Sequence, residues 1–197
     1  MIGRSILAGV FISVGAICYL NNPNIIGATL FSIGIMAVIA LDCPLYTGKI
    51  GFVNKNNFGD MGVVLICNLI GSFGSGIIYG LCASDDVCAT ANNIIVHKLY
   101  QPYFTQFIMG IGCGICIYLC VLFAKKFSNP VLIALPIVVF ITSGYNHCIA
   151  DTFYYAVYCK LNTEFIMYLI RVIAGNSVGS IVVHQILKKT KISLDIG

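Results

Sequence analysis

A polar segment in the second half of the chain places an imidazole inside a break in an apolar run. Residues 142–151 read T-S-G-Y-N-H-C-I-A-D and lie between the apolar residues 131–141 and 153–158. A helix that stops inside a bilayer exposes backbone N–H and C=O groups, which are tolerated where they line a protein-enclosed, wetted cavity. Transporters bind their substrates at such broken helices. An imidazole there can donate a hydrogen bond or a proton, so we predict that His147 lines the centre of a pore.

A second break and a repeated motif indicate that the chain is duplicated. The motif N-x-x-G-S begins at Asn68 and again at Asn176. The first break is at 42–44, D-C-P, where the proline removes a backbone donor. We expect Asn68, Asn176 and Asn146 to support the two breaks. With three spans in each copy, the second copy enters the membrane in the opposite sense, which predicts an inverted repeat with its site at the midplane.

The composition places these segments in a membrane protein. Of the 197 residues, 59% are hydrophobic and 9% are charged, whereas a soluble domain has about 25% charged residues. We therefore interpret 1–197 as a single transmembrane channel domain, with repeat 1 at about 1–82 and repeat 2 at about 99–190. The net charge of +4 does not indicate a nucleic-acid partner, because the basic residues lie at the ends of segments.

The ten cysteines do not indicate a disulfide framework. Most of them lie in apolar runs, where Cys behaves as a small hydrophobe. Cys82 and Cys88 lie together in one loop and are the pair placed to form a disulfide. The sequence leaves open whether they do.

The apolar runs predict an all-α fold with six membrane spans, since a transmembrane helix needs about 20 residues. Four spans are continuous, at 5–20, 61–81, 104–124 and 165–187. The second and fifth spans are broken: one runs 25–41 and resumes at 45–49, and the other runs 131–158 around the polar segment.

The distribution of lysine and arginine predicts the orientation. One side of the six-span arrangement carries Arg4, Lys49, Lys55, Lys125, Lys126, Lys188, Lys189 and Lys191, and the other carries Lys98 and Lys160. Because positive residues remain on the cytoplasmic side, we expect both termini in the cytoplasm and the protein in the inner (cytoplasmic) membrane of the cell.

Five short segments, in order along the chain, resemble the formate/nitrite transporter family. Residues 7–13 are similar to the signature of its first helix, and 45–47, L-Y-T, resemble its L-F-T. Residues 67–71, C-N-L-I-G, and 175–179, G-N-S-V-G, resemble its G-N-L-V-G and G-N-I-I-G. Residues 143–150, S-G-Y-N-H-C-I-A, are similar to its most specific motif, S-G-F-E-H-S-I-A.

This resemblance implies an aquaporin-like fold and a homopentamer with one pore in each protomer. The implied function is passage of small monovalent anions or their conjugate acids, without enzymatic activity or cofactor. His147 would be the central pore histidine, Thr47 its hydrogen-bonding neighbour and Lys98 an external, anion-attracting lysine. The implied apolar constrictions are Phe31, Ile35, Leu45 and Phe140.

Three departures from the family pattern leave the substrate open. Asn146 replaces the usual glutamate, Gly114 an asparagine, and Arg171 a proline that is often present. Formate is the leading candidate substrate, and hydrosulfide, nitrite or a short-chain carboxylate are the alternatives. A neutral-solute channel of the aquaporin type is less favoured, because the asparagine-proline-alanine motifs are absent. A membrane enzyme that uses His147 as a base lacks a nucleophile or metal partner at matching depth, and no metal or nucleotide motif is present.

Three charged residues lie next to the two breaks or within the sixth predicted span. Asp42 and Asp151, next to the breaks, are expected to cap the N-termini of half-helices rather than to meet an anion. Arg171 is expected to reach the membrane interface or to pair with Glu164.

Overall fold

The computed structural model describes residues 1–54, 57–127, 129–158 and 163–190, and in these residues the chain is helical, as the sequence predicts. Lys55, Lys160 and Lys191, which enter the orientation argument, lie outside the described residues. The helices are α1 Ile2–Asn21, α2 Ile25–Ala40, α3 Tyr46–Lys49, α4 Phe58–Gly80, α5 Asp85–Leu99, α6 Tyr103–Phe127, α7 Pro130–Thr142, α8 Cys148–Tyr158 and α9 Thr163–Lys189, with a 3₁₀ turn at Ile50–Phe52.

The helix lengths follow the predicted division into continuous and broken spans. Among the described residues, α1, α4, α6 and α9 are long and apolar enough to cross a membrane. The apolar helices α2 and α7 have 16 and 13 residues, which is short of the roughly 20 that a span needs. Each is followed by a second short helix, α3 or α8, so the two broken segments are helix pairs.

Both breaks end their first helix in the same way. Asp42 has φ 45° and Gly144 has φ 66°, so both adopt the left-handed conformation that commonly terminates a helix. The next amide in each case donates back five residues, from Cys43 to the Val38 carbonyl at 2.9 Å and from Tyr145 to the Phe140 carbonyl at 3.1 Å. The expectation that Asp42 caps a half-helix N-terminus is therefore wrong. Asp42 ends α2, and its carboxylate pairs with Arg4 at 2.8 Å.

Glycines bring the long helices of each half into close contact. A Cβ at Gly9 would overlap the backbone carbonyl of Asn68, so α1 lies directly against α4. A Cβ at Gly114 would overlap the carbonyl of Asn176 in the same way, so α6 lies against α9. Gly114 was noted as a departure from the family pattern, and this contact is the physical reason why no side chain fits there.

Helix α5 is the element that the sequence did not predict. It has Asp85 and Asp86 in its first turn and His97 and Lys98 in its last. Acidic residues at the start of a helix and basic residues at its end interact favourably with the helix dipole, so this arrangement stabilises α5. Its composition is too polar for a membrane span, so a search for apolar runs assigns it to a loop. The loop before it carries Cys82, and both Cys82 and Cys88 are free cysteines, so the possible disulfide is not formed.

Candidate functional site

Asn68 holds the first break from the inside of the protein. Its Oδ1 accepts a hydrogen bond from the Tyr46 amide at 2.8 Å, which is a free donor at the start of α3. Its Nδ2 donates to the Pro44 carbonyl at 2.9 Å and to the Ser5 carbonyl at 2.7 Å. One buried amide therefore satisfies two backbone groups of the break, the Tyr46 amide and the Pro44 carbonyl, and ties them to α1 through the Ser5 carbonyl.

Asn176 makes the equivalent set of bonds at the second break. Its Oδ1 accepts from the Cys148 amide at 3.1 Å, at the start of α8. Its Nδ2 donates to the carbonyls of Asn146 and Gly110, both at 2.9 Å. Tyr46 thus corresponds to Cys148, and Pro44 corresponds to Asn146. Leu45 in the first half therefore occupies the position that His147 occupies in the second half.

The serines of the two N-x-x-G-S motifs cross to the opposite half. Ser72 donates to the Ile149 carbonyl at 2.6 Å. The single proton of the Ser180 hydroxyl is shared between the Gly114 carbonyl of its own half at 3.0 Å and the Thr47 carbonyl of the other half at 3.4 Å. Each long helix therefore fixes its own broken segment through the asparagine and the other half's broken segment through the serine.

Asn146 joins the second break to α6 and to the turn before it. Its Nδ2 donates to the Gln101 side chain at 3.0 Å and to the Gln106 carbonyl at 3.2 Å. Its Oδ1 is buried and has no hydrogen-bond partner among the described residues.

His147 is buried, and its two ring nitrogens have different partners. Nδ1 lies 3.0 Å from the Ala150 amide, which can only donate, so Nδ1 is the acceptor. We therefore assign the ring proton to Nε2 and the imidazole to its neutral form. Nε2 lies 3.0 Å from Thr47 Oγ1, so its N–H donates to the threonine. The ring thus caps the N-terminus of α8 with one nitrogen and presents a single N–H with the other.

An aromatic layer surrounds the imidazole. The rings of Phe31 and Phe140 meet edge to face with centroids 5.5 Å apart, and the Phe140 ring lies 5.7 Å from that of His147. Phe31, Phe140, Thr47 and His147 are all buried. This closed layer contains one hydroxyl and one imidazole in otherwise apolar surroundings.

Two cavities lie near this layer, one lined by Phe140 of the layer and the other by residues that neighbour Phe31 and Thr47 in the chain. The first cavity, of about 530 Å³, is lined by Ile35 and Leu45 and carries Lys49 and Lys125. The second cavity, of about 390 Å³, is lined by Phe140 and carries Lys98. The residues expected to form constrictions are thus divided, with Ile35 and Leu45 at the first cavity, Phe140 at the second, and Phe31 packed on Phe140. His147 and Thr47 line neither cavity.

Lys98 reaches inward from the last turn of α5. Its Nζ donates to Asp151 Oδ1 at 2.7 Å and to the Tyr145 carbonyl at 2.9 Å. The side chain of Lys98 is 10% exposed, and that of Asp151 is fully buried. The other carboxylate oxygen accepts from the Tyr168 hydroxyl at 2.6 Å. Asp151 therefore pairs with the lysine, and its carboxylate also accepts a hydrogen bond from the backbone of His147, at the start of α8.

Arg171 braces the junction of α5 and α6. Its Nε donates to the Gln106 side chain at 2.6 Å, and its guanidinium lies over the Tyr103 ring, 4.3 Å from the centroid. Gln106 in turn donates to the Leu99 carbonyl at 2.9 Å, at the end of α5. The expected pair with Glu164 is not formed, because the guanidinium is directed to α6.

Comparison with known proteins assigns this architecture to a family. A model of the formate/nitrite transporter family matches residues 1–188. The chain belongs to the formate/nitrite transporter family. It is 25% identical to the formate channel FocA of Haemophilus influenzae over 150 residues, which are 66% of this chain and 52% of FocA. It is 26% identical to the uncharacterized transporter YrhG of Bacillus subtilis over 181 residues, 81% of this chain and 68% of YrhG. The chain thus spans about half the length of FocA.

Solved structures agree on the fold. A pentameric formate channel with formate bound superimposes with a TM-score of 0.84 at 23% identity, over 95% of this chain and 94% of that one. An ion channel of the same family superimposes with a TM-score of 0.84 at 18% identity, over 98% and 90% of the two chains. The predicted aquaporin-like fold class is thereby confirmed, and the protein is a multi-pass membrane protein of a transporter family.

Proposed function

We propose that this protein is a channel through which small monovalent anions cross the membrane as their conjugate weak acids, with formate as the leading substrate. Membership of the family supports the class of permeant. The observation that carries the proposal is the closed layer between the two cavities, where a neutral His147 presents one N–H beside Phe31 and Phe140.

The energetics of that layer favour a neutral permeant. An anion that enters an apolar constriction loses its hydration, at an idealised cost of order 20 kcal/mol. Protonating a carboxylic acid of pKa about 4 at pH 7 costs about three pKa units, or about 4 kcal/mol. Neutralisation is therefore the less costly route, and the permeant crosses the layer as the acid.

His147 acts in this cycle as a hydrogen-bond donor. Its Nδ1 is bound to the Ala150 amide, so the ring cannot take up a second proton without breaking the cap of α8. Its Nε2–H donates a hydrogen bond to Thr47. When a permeant reaches the layer, the same N–H donates its hydrogen bond to an oxygen of the permeant instead. The Thr47 hydroxyl is then available as a second donor or acceptor on the same permeant.

Other permeants fit the same chemistry. Hydrosulfide needs less energy for protonation than a carboxylate does, and nitrite and short-chain carboxylates also become small neutral acids. We further propose that the protein is a homopentamer in the cell membrane with both termini in the cytoplasm. Repeats at about 1–82 and 99–190 are supported by the matched bonds of Asn68 and Asn176.

The test is a flux panel in proteoliposomes with formate, nitrite, acetate, lactate and hydrosulfide, applied to the wild type and two variants. His147→Asn keeps an acceptor for the Ala150 amide and an N–H for the permeant, so we expect it to conduct with the wild-type pH profile. His147→Phe removes both groups, and we expect it to block flux in an assembled channel. The matched control is His184→Phe, since His184 bonds to Tyr118 at 3.0 Å and does not contact the layer.

Two results would contradict this proposal. Wild-type flux in an assembled His147→Phe channel would place His147 outside the pathway. A flattened pH profile in His147→Asn would show that the imidazole titrates during transport and is a proton relay instead of a fixed donor.

A further inference from the structure

The buried charge pair in the second cavity bears on which form of the substrate enters from that side. Lys98 and Asp151 lie 2.7 Å apart, and both line this cavity. A lysine alone would attract anions over distances of about a Debye length. Here the nearest charge to the ammonium is a carboxylate in direct contact. Whichever of the two groups holds the shared proton, the pair carries no net charge.

The pair is also held in place, so the lysine is not free to turn toward an anion. The Tyr145 carbonyl accepts a second hydrogen bond from Lys98 at 2.9 Å, and the Tyr168 hydroxyl donates to Asp151 at 2.6 Å. An anion that competed for Lys98 would have to displace a buried carboxylate that is already hydrogen-bonded on both oxygens. That carboxylate would then be left as an uncompensated buried charge, which is strongly unfavourable.

A second group in the same cavity has no partner. Tyr154 lies on α8, one helical turn from Ala150, and both residues line the second cavity. The Tyr154 side chain is buried, at 2% exposed, and its hydroxyl has no hydrogen-bond partner among the described residues. Buried hydroxyls in folded proteins are nearly always paired, so this one needs an explanation. A hydroxyl that both donates and accepts matches an undissociated acid, which has one O–H and one acceptor oxygen.

We propose that the second cavity binds the undissociated acid and not its anion, with Tyr154 as the binding group and Asp151 as the residue that determines this specificity by neutralising Lys98. The inference rests on the proposed channel function and adds a selectivity step before the aromatic layer. Among the described residues, the titratable groups that line this cavity are Tyr19, His97, Lys98, Tyr145, Asp151 and Tyr154. Those that surround its charge pair from other positions are Tyr168, Cys113, His147 and Cys148.

The test uses nitrate as a probe, because it is a small anion that is not protonated near neutral pH. Formate influx into proteoliposomes is measured in sodium nitrate and in sodium gluconate at equal ionic strength. We expect equal wild-type rates in the two salts. Asp151→Asn keeps an acceptor for the Tyr168 hydroxyl and releases the charge of Lys98, so we expect nitrate to slow its influx several-fold. In Lys98→Met/Asp151→Asn, which removes both charges, the nitrate effect should disappear.

Tyr154→Phe tests the binding group separately. Loss of one neutral hydrogen bond should raise the half-saturating formate concentration about two- to tenfold, with no new nitrate effect. The matched control is Tyr118→Phe, a buried tyrosine whose hydroxyl bonds to His184, and it should leave half-saturation unchanged.

The failures of this inference and of the channel function are distinguishable. A wild-type channel that carries formate but is slowed several-fold by nitrate relative to gluconate would overturn the inference and leave the channel function intact. Unchanged half-saturation in Tyr154→Phe would equally remove Tyr154 from the site, and both measurements stand even if Asp151→Asn does not assemble. Absence of formate flux in the wild type would refute the channel function itself.

Discussion

Replacing Asn176 by leucine should destabilise the second break more than any comparable change on the protein surface. Leucine has the same branched side-chain skeleton as asparagine, but it has bulkier methyl groups and no polar atoms. The Cys148 amide and the carbonyls of Gly110 and Asn146 would each lose their Asn176 partner inside the protein. The Gly110 carbonyl lies within α6 and keeps its helical partner, so two groups, the Cys148 amide and the Asn146 carbonyl, are left unsatisfied. At about 1–3 kcal/mol for each buried backbone group, the two together cost about 2–6 kcal/mol.

This cost is large compared with the stability of a folded domain, about 5–15 kcal/mol. With Tm falling by about 2–4 °C per kcal/mol for a chain of this size, we expect Asn176→Leu to unfold at least about 4 °C below the wild type. The measurement is thermal unfolding of the purified protein in detergent, followed by formate flux of the fraction that remains assembled. Flux should fall as well, because Cys148 directly follows His147.

Two matched variants distinguish the loss of support at the break from the general effect of replacing an asparagine by leucine. Asn68→Leu removes the same three kinds of bond at the first break and should lower Tm by a similar amount. Asn21→Leu changes an exposed asparagine, whose side chain bonds to Ile17 and Tyr79, and should change Tm by less than about 3 °C. An Asn176→Leu protein with wild-type Tm and flux would show that the asparagine does not hold the break, and the reasoning would fail.

Two further predictions concern the arrangement in the membrane. Cys82 is exposed in the loop before α5, so a membrane-impermeant thiol reagent should label it from the non-cytoplasmic side. A cysteine introduced by Asp60→Cys in a Cys82→Ser background should be labelled from the cytoplasmic side. Labelling of both positions from one side would contradict the inverted repeat. Native mass spectrometry should show five copies of the chain, and a stable monomer or tetramer would refute the pentamer.

The sequence by itself determined the broad plan of this protein. Hydropathy located the four continuous spans, because a run of about 20 apolar residues has no stable place in water. The breaks were also readable, since Pro44 cannot donate in a helix and the polar residues 142–151 interrupt an apolar run. The paired N-x-x-G-S motifs indicated the duplication, and the S-G-Y-N-H segment located His147. These are local properties of the chain, and their physical causes act within a few residues.

The tertiary structure decided the electrostatics of the site. Helix α5 was missed because its polar composition gives no membrane signal, and with it the inward direction of Lys98 was missed. Asp151 lies 53 residues from Lys98 in sequence, so nothing local identifies it as the partner of that lysine. Thr47 and His147 are 100 residues apart, and the family resemblance, not a local property of the chain, indicated the hydrogen bond that they share. A charge or a proton is fixed by the groups within about 3 Å of it, and in this fold those groups come from helices that are distant in sequence.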